Sequence, residues 1–313
     1  MSLLSFEQKV AVLSCLVDGC SINTTVRLTD VSKPSILKLV RAIGEACERL
    51  HDRMMVNLKC SLLQFDEQWS FVHTKQGHLK TTDPVDVWGD CWTFVCLAVT
   101  QRAIISFRTG KRTLENARPF VKDVRNRVLG RPQASADGWK PYTDAVEEAF
   151  GMLVDFGVFV KQYEGDELPE GATRHRVRYK GAIKVKVSGN PNMETVSTSL
   201  IERCNLTTRM SIRRFTRKTN GFSKKVENHA AAFALHAANY NFCRIHETLR
   251  TTPAMALGIT DHVWDIPELL REATKCGPAP TLPPVAAPLP QAPAQMMLPG
   301  MGPGLRVIRG GRD

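Results

Sequence analysis

The residues that could do chemistry in this chain start with one carboxylate among cations. From Leu200 to Lys225 the sequence reads LIERCNLTTRMSIRRFTRKTNGFSKK, in which Glu202 is followed by Arg209, Arg213, Arg214, Arg217, Lys218, Lys224 and Lys225. Glu202, Asn205, Arg209 and Arg213 recur at helical spacing, so one helix face would carry an acid and then a basic stripe. An acid placed in this way can bind a divalent metal while the cations hold phosphates. A solvated charged helix gives the same run, and most charge runs are of that kind. Two acidic segments upstream change the balance: Asp66 within FDEQW and Asp137 within ADGWKPY.

Phosphoryl transfer on DNA needs the attacking and leaving oxygens stabilised in line. Two Mg²⁺ ions roughly 3.5–4 Å apart, held by hard oxygen ligands, do this, and Mn²⁺ is a possible substitute. Converging carboxylates are therefore what the chemistry requires, and without metal their repulsion raises at least one pKa. A chain with 31 acids offers many such triples, so the trio alone has little specificity. Glu67 rivals Asp66 as the first ligand; strand phase favours Asp66.

The elements that would position these acids follow from periodicity. Phe6, Val10, Leu13 and Val17 give a first helix stopped at Asp18-Gly19, and Ser21 caps a second helix to about Leu28. Ser32 caps a third, with Pro34 in its first turn. Ile36, Leu39, Val40 and Ile43 face inward in that helix; Lys33, Ser35, Lys38 and Arg41 face outward. Three short helices with a tight turn match a helix-turn-helix whose last helix enters a major groove.

From Leu62 the pattern alternates. Leu63, Phe65, Trp69 and Phe71 form one row, Glu67 falls in phase with it, and Asp66 points to the other face. Trp92–Val99 and Ala103–Arg108 read as further strands, 113–129 as a helix, and a short segment over 132–136 leads to Asp137. A helix over 143–150 and a strand over 154–160 follow. The run RHRVRYKGAIKVKV suggests a cationic hairpin, either lying along DNA or simply an exposed ribbon whose lysines guard its edges. The periodicity predicts a helix from Met193 or Glu194 that carries Glu202, and another from Lys224 to about Leu249. On that last helix His229 and His236 read as core residues.

At 313 residues the chain has room for two domains. The expected division is 1–58 as the helix-turn-helix domain and 59–265 as an α/β catalytic domain with a basic insertion at about 164–192. Residues 266–313 form a short helix and a tail. Nine of the 18 prolines fall in the final 37 residues, a composition that predicts disorder. Net charge is +11, but Gly171–Lys225 alone carries 14 Lys and Arg against 2 acids, so the basicity is local. A localised cationic surface with pI near 9.3 points to nucleic acid rather than a membrane. Nine scattered cysteines without a CxxC pair suggest reduced thiols, and nothing reads as a signal peptide or membrane span. The expectation is a cytoplasmic, nucleoid-associated protein of a prokaryotic cell.

The order strand with Asp66, further strands, helix, strand with Asp137, helix with Glu202 is ribonuclease-H-like: a mixed sheet with flanking helices. The local wording goes further. FDEQW, ADGWKPY and IERCNLTTRMSIRRFTRKTNGFSKKVENH, over about 62–232, resemble the DDE transposases of the insertion-sequence-one type. That resemblance implies that Asp66, Asp137 and Glu202 are the catalytic metal ligands and that Arg209 contacts DNA near the cleavage site. It also implies that Trp69, Trp139 and Tyr142 pack around the site. The 65-residue interval from Asp137 to Glu202 is longer than expected for that family, and the zinc-binding segment often associated with it is absent. The run YNFCRIHETLRTTPAMALG more weakly resembles the end of integrase-type catalytic domains.

The function these readings imply is a transposase that binds terminal inverted repeats and, with metal, hydrolyses a phosphodiester. It then joins strands by 3′-hydroxyl attack. Double-stranded DNA would be the partner, in a homodimer or larger synaptic oligomer, with no membrane and no small-molecule substrate. The alternatives are a catalytically idle DNA-binding regulator and a structure-selective nuclease of the same fold.

Overall fold

The computed structural model describes residues 4–163 and 179–276. The proline-rich tail and the first part of the basic insertion lie outside those residues. Three helices open the chain: α1 (Phe6–Val17), α2 (Ile22–Thr29) and α3 (Lys33–Met54). Ser5 and Gln8 form a capping box on α1, and the Ser21 hydroxyl accepts from Thr24 N at the start of α2. Asp30, at φ 54°, makes the turn into α3.

A sheet and its covering helices follow. β1 (Leu62–Val72), β2 (Gly89–Ala98) and β3 (Ala103–Gly110) form an antiparallel meander, followed by α4 (Leu114–Arg127) and β4 (Gln133–Asp137). Next come α5 (Lys140–Phe150), β5 (Asp155–Tyr163) and β6 (Tyr179–Ser188). The strand order is β3-β2-β1-β4-β5-β6. β4 runs parallel to both β1 and β5, while β6 is antiparallel to β5, so the sheet is mixed. α6 (Ser199–Ser211), α7 (Val226–Ala238), α8 (Pro253–Ala256) and α9 (Ile266–Lys275) complete the described elements.

The two faces of the sheet are covered by different helices, the α/β layering that buries both sides of a central sheet. Leu63, Phe65, Phe94 and Ala134 pack with Phe120 of α4 and Tyr142 of α5; Phe65 lies 6.0 Å from Phe120 and 5.9 Å from Tyr142 between ring centres. On the opposite face Val95, Leu97 and Ile104 meet Ile201 and Cys204 of α6 and Phe233 and Ala237 of α7. Ile36, Leu39, Val40 and Ile43 of α3 belong to the same buried cluster as the sheet's first face. Gly44 lets α3 cross α7 closely: a Cβ there would sit 2.3 Å from the Ala231 carbonyl oxygen. At the far end of α3, buried Arg127 pairs with Asp52 and Asp123 and donates to the His51 and Met55 carbonyls, tying α3 to α4.

Three local expectations are corrected. α6 begins at Ser199, not at Met193 or Glu194, because Asn192 binds the intervening turn: its side chain accepts from Glu194 N and its carbonyl from Thr195 N. The expected helix from Lys224 to Leu249 stops at Ala238 and widens into a π-helical turn, Asn239–Cys243. That turn carries Asn241 to the edge strand β3, where its amide accepts from Ile104 N and donates to Ile104 O. The helical stripe that was to include Arg213 ends at Arg209, since Ile212 is extended (φ −120°, ψ 109°) and Arg213–Phe215 form a separate 3-10 turn. The described part of the cationic ribbon, β6, is an exposed edge strand paired with β5.

Candidate active site

β1 positions the first acid by its alternation. Of its odd-numbered residues, Leu63 and Phe65 belong to the core under α4 and α5. Its even-numbered residues, Gln64, Asp66, Gln68 and Ser70, form a polar row under α6 and α7. α6 is fixed on that row: Ile201 N donates to Gln64 Oε1 at 2.9 Å, and Asn205 Nδ2 donates to Asp66 Oδ2 at 2.7 Å. Farther along, Ser70 lies 2.8 Å from His229 Nε2, and Ser223 lies 3.2 Å from His229 Nδ1. Burial holds His229 neutral, with its pKa pushed down to about 3. It therefore ties the basic segment after α6 to β1, as a core residue.

β4 supplies the second acid. Leu62 pairs with Gln133 and Gln64 with Ser135, and continuing that parallel register sets Asp66 beside Asp137, on the same face. Trp139 N donates to Asp137 Oδ1 at 3.0 Å, a local turn at the strand's end. One carboxylate oxygen each from Asp66, Glu67 and Asp137 lies within 4.8 Å of the others, so these three acids could hold a metal ion. Burial, then the charges of Glu67 and Asp137, push the Asp66 pKa up to about 7. The hard oxygen donors and the repulsion among the acids fit a divalent cation such as Mg²⁺ or Mn²⁺.

Glu202 is close enough for its charge to raise Asp66 further, yet it stands outside that three-acid cluster. Lys161 Nζ of β5 reaches Glu202 Oε1 at 2.6 Å, and the Thr198 hydroxyl donates to the same oxygen at 2.7 Å. Arg209, on the same side of α6, is half-buried and has its pKa lowered by burial and by Arg217, with Asp66 acting the other way. Its Nε is buried without a hydrogen-bond partner.

The remaining sequence-chosen cations fall into two groups. Lys33, Lys38 and Arg41 are exposed on α3, Arg41 pairing with Glu45 at 3.0 Å, while Ser35 is half-buried against Ser32. Arg213, Arg217, Lys218, Lys224 and Lys225 are exposed beyond α6; Arg214 is partly buried and donates to Ser223 Oγ at 3.3 Å. Lys33, Arg213, Arg214 and Lys224 line one cavity of about 620 Å³ between the α1–α3 helices and the segment after α6.

Sequence reasoning missed Arg112 and Lys161. Arg112 Nε meets Glu67 Oε1 at 2.5 Å and its Nη2 lies 3.6 Å from Asp137 Oδ2. Lys161 partners Glu202. Both come from strand neighbourhoods that only the sheet order brings to the acids, and neither sits in a motif. Tyr142 and Trp139 do border the site: burial and Glu67 raise the Tyr142 pKa well above its usual value.

No protein-family model matches the chain, and no curated protein matches it. Among solved structures it is similar to the piggyBac transposase in a synaptic complex with hairpin DNA, at 10% identity over 86% of this chain and 69% of that one, with a TM-score of 0.35. The Mos1 transposase in its paired-end complex with the left transposon end matches at 14% identity over 47% of this chain and 58% of that one, TM-score 0.19. The Mos1 strand transfer complex matches at 11% identity over 77% and 78%, TM-score 0.21. Superposition this loose fixes neither fold nor chemistry, which rest on the strand register and the geometry of the acids. Among the described residues no helix is long and apolar enough to cross a membrane.

Proposed function

We propose that this chain is a transposase of the DDE type that cuts and joins DNA with divalent metal, using Asp66, Asp137 and Glu202. The observation that carries the proposal is the opposition of Asp66 and Asp137 on adjacent parallel strands, with α6 bringing Glu202 and Arg209 over the same face. Bound Mg²⁺ would supply charge stabilisation for the attacking and leaving oxygens. Asp66 would use Oδ1, beside its bond to Asn205, and Asp137 would use Oδ2, which Arg112 approaches only to 3.6 Å while Trp139 N holds Oδ1. Glu202 would join them by giving up Lys161, a half-exposed pairing of the kind that is cheap to break.

The exposed cations from Arg213 to Lys225 would bind phosphates without regard to sequence. Lys33, Ser35, Lys38 and Arg41, on the first turns of α3, would meet bases at the element's terminal repeats, with residues 1–58 as the recognition domain. Joining two ends calls for at least a dimer. The insertion-sequence-one type and a prokaryotic, nucleoid-associated setting belong to this same reading.

The test is strand nicking and joining on an oligonucleotide carrying the repeats that flank the coding region. Mg²⁺-dependent nicks and joined products are expected from the wild type and not from Asp137→Asn. Identical behaviour of the two proteins would leave an idle DNA-binding regulator, and nicks without joined products a nuclease. Arg213→Ala should weaken binding to any DNA, whereas Lys38→Ala should mainly reduce preference for the ends. Equal losses on specific and random DNA for Lys38→Ala would remove the recognition role of α3.

A further inference from the structure

Two acids adjacent in sequence, Asp66 and Glu67, both lie in the metal-competent cluster, but only one of them is committed to a cation of the protein itself. The Glu67 side chain is 2% exposed, and Arg112 Nε meets its Oε1 at 2.5 Å. Its other oxygen is buried beside Tyr142, whose phenol acts on Glu67's ionisation without a well-formed hydrogen bond. The same guanidinium lies 5.1 Å from the Trp92 ring centre and 4.7 Å from that of Trp139. It also reaches Asp137 Oδ2, at 3.6 Å.

We propose that Arg112 is the positioning residue of the acid cluster, and that Glu67 stays outside the metal-ligand set as the buried anion that anchors it. This inference rests on the metal-binding reading of Asp66 and Asp137. A guanidinium flanked by two indoles and bonded through Nε to a buried carboxylate has a fixed plane, which leaves its Nη2 beside Asp137. Trp139 N holds one oxygen of Asp137, and Arg112 lies beside the other. The Asp137 carboxylate is thereby oriented from two sides, with Asp66 across the strand register on the third.

The two contacts differ in kind. The contact to Glu67 is short and buried. The contact to Asp137 is long and more exposed, so Asp137 can turn its oxygen toward a metal while Arg112 stays in place. For Glu67 to become a ligand it would have to leave a buried partner, and Arg112 would be stranded between the two indoles. Lysine could not replace this residue, because a point charge on a flexible stem neither stacks nor forks.

The experiment is Mn²⁺ binding by the full chain without DNA, read by electron paramagnetic resonance of the free ion, with folding followed by circular dichroism. Asp137→Asn serves as the reference for a lost ligand. Glu67→Gln keeps an oxygen for Arg112 and should lose far less affinity than Asp137→Asn. Arg112→Gln removes a cation next to the site, so Coulomb repulsion alone would tighten Mn²⁺ binding. A positioning role instead weakens it by about tenfold, the usual scale for a group that orients a ligand. Arg112→Lys, which keeps the charge, should weaken binding as well. If Arg112→Gln does not fold, Arg112→Lys decides, and wild-type affinity in that variant overturns the proposal. A Glu67→Gln loss as large as that of Asp137→Asn, or unchanged or tighter binding in Arg112→Gln, would also overturn it. Wild-type protein that takes no Mn²⁺, or Asp137→Asn that takes it unchanged, would sink the metal reading and this inference together.

Discussion

The two sides of β1 solve opposite problems with the same stretch of chain. Facing α4 and α5, Leu63 and Phe65 are packed into an aromatic core, and the one charge on that side, Glu67, is neutralised by Arg112. Facing α6 and α7, Gln64, Asp66, Gln68 and Ser70 form a polar row, in which Gln68 has neither amide atom bonded although it is fully buried. One side pairs its charge and gains from apolar burial, leaving Glu67 Oε2 and the Tyr142 hydroxyl without a bond. The other leaves an acid with a raised pKa and buried polar atoms without partners, the pattern expected where stability has been given up for chemistry.

The largest effect should come from the acid side. Asp66→Asn or Asp137→Asn should lower Mg²⁺-dependent nicking by at least about a thousandfold, since charge stabilisation by a metal is worth several kcal/mol. Far-UV circular dichroism should be unchanged. The packed side should respond in stability instead: Phe65→Ala should cost about 3–5 kcal/mol in denaturant unfolding through lost burial and the cavity left. If both substitutions altered stability and activity equally, the division between the sides would be wrong.

A smaller effect follows from Asp66, whose folded pKa of about 7 lies above its ordinary value of 3.8. The folded state holds this proton more tightly than the unfolded chain does. Its contribution to stability is therefore full below the ordinary carboxylate range and is lost as pH rises through about 7. Metal needs the carboxylate ionised, so metal binding strengthens over the same window. Thermal unfolding followed from about pH 5 to about pH 8 should show Tm falling without Mn²⁺, and a Mn²⁺-induced rise that is larger at the upper end. A Mn²⁺ effect independent of pH would place Asp66 in the ordinary range. The smallest effect should be that of Gln68→Leu. It removes two unbonded buried polar atoms and should be neutral or stabilising by about 1 kcal/mol. A clear destabilisation would mean that Gln68 has a bonding role on this side.

Much of this contrast was legible in the chain itself. The alternation Leu63, Phe65, Trp69, Phe71 separates the two faces, and it sets Asp66 apart from its neighbour Glu67. The helical spacing of Glu202, Asn205 and Arg209 puts all three on α6, and the structure bonds Asn205 to Asp66. Arg112 and Lys161 were not legible, because their partners are set by strand order and register, which local patterns do not encode. The bounds of α6 and α7 were missed for a local reason. Asn192 and Asn241 spend their side chains on backbone groups, and that overrides helical periodicity.

The most direct test of the central claim is anomalous scattering from crystals of the chain grown with Mn²⁺. A peak is expected at about 2.1 Å from carboxylate oxygens of both Asp66 and Asp137, with Glu67 still on Arg112. A peak bound by Glu67, or Mn²⁺ found only away from Asp66 and Asp137, would contradict it.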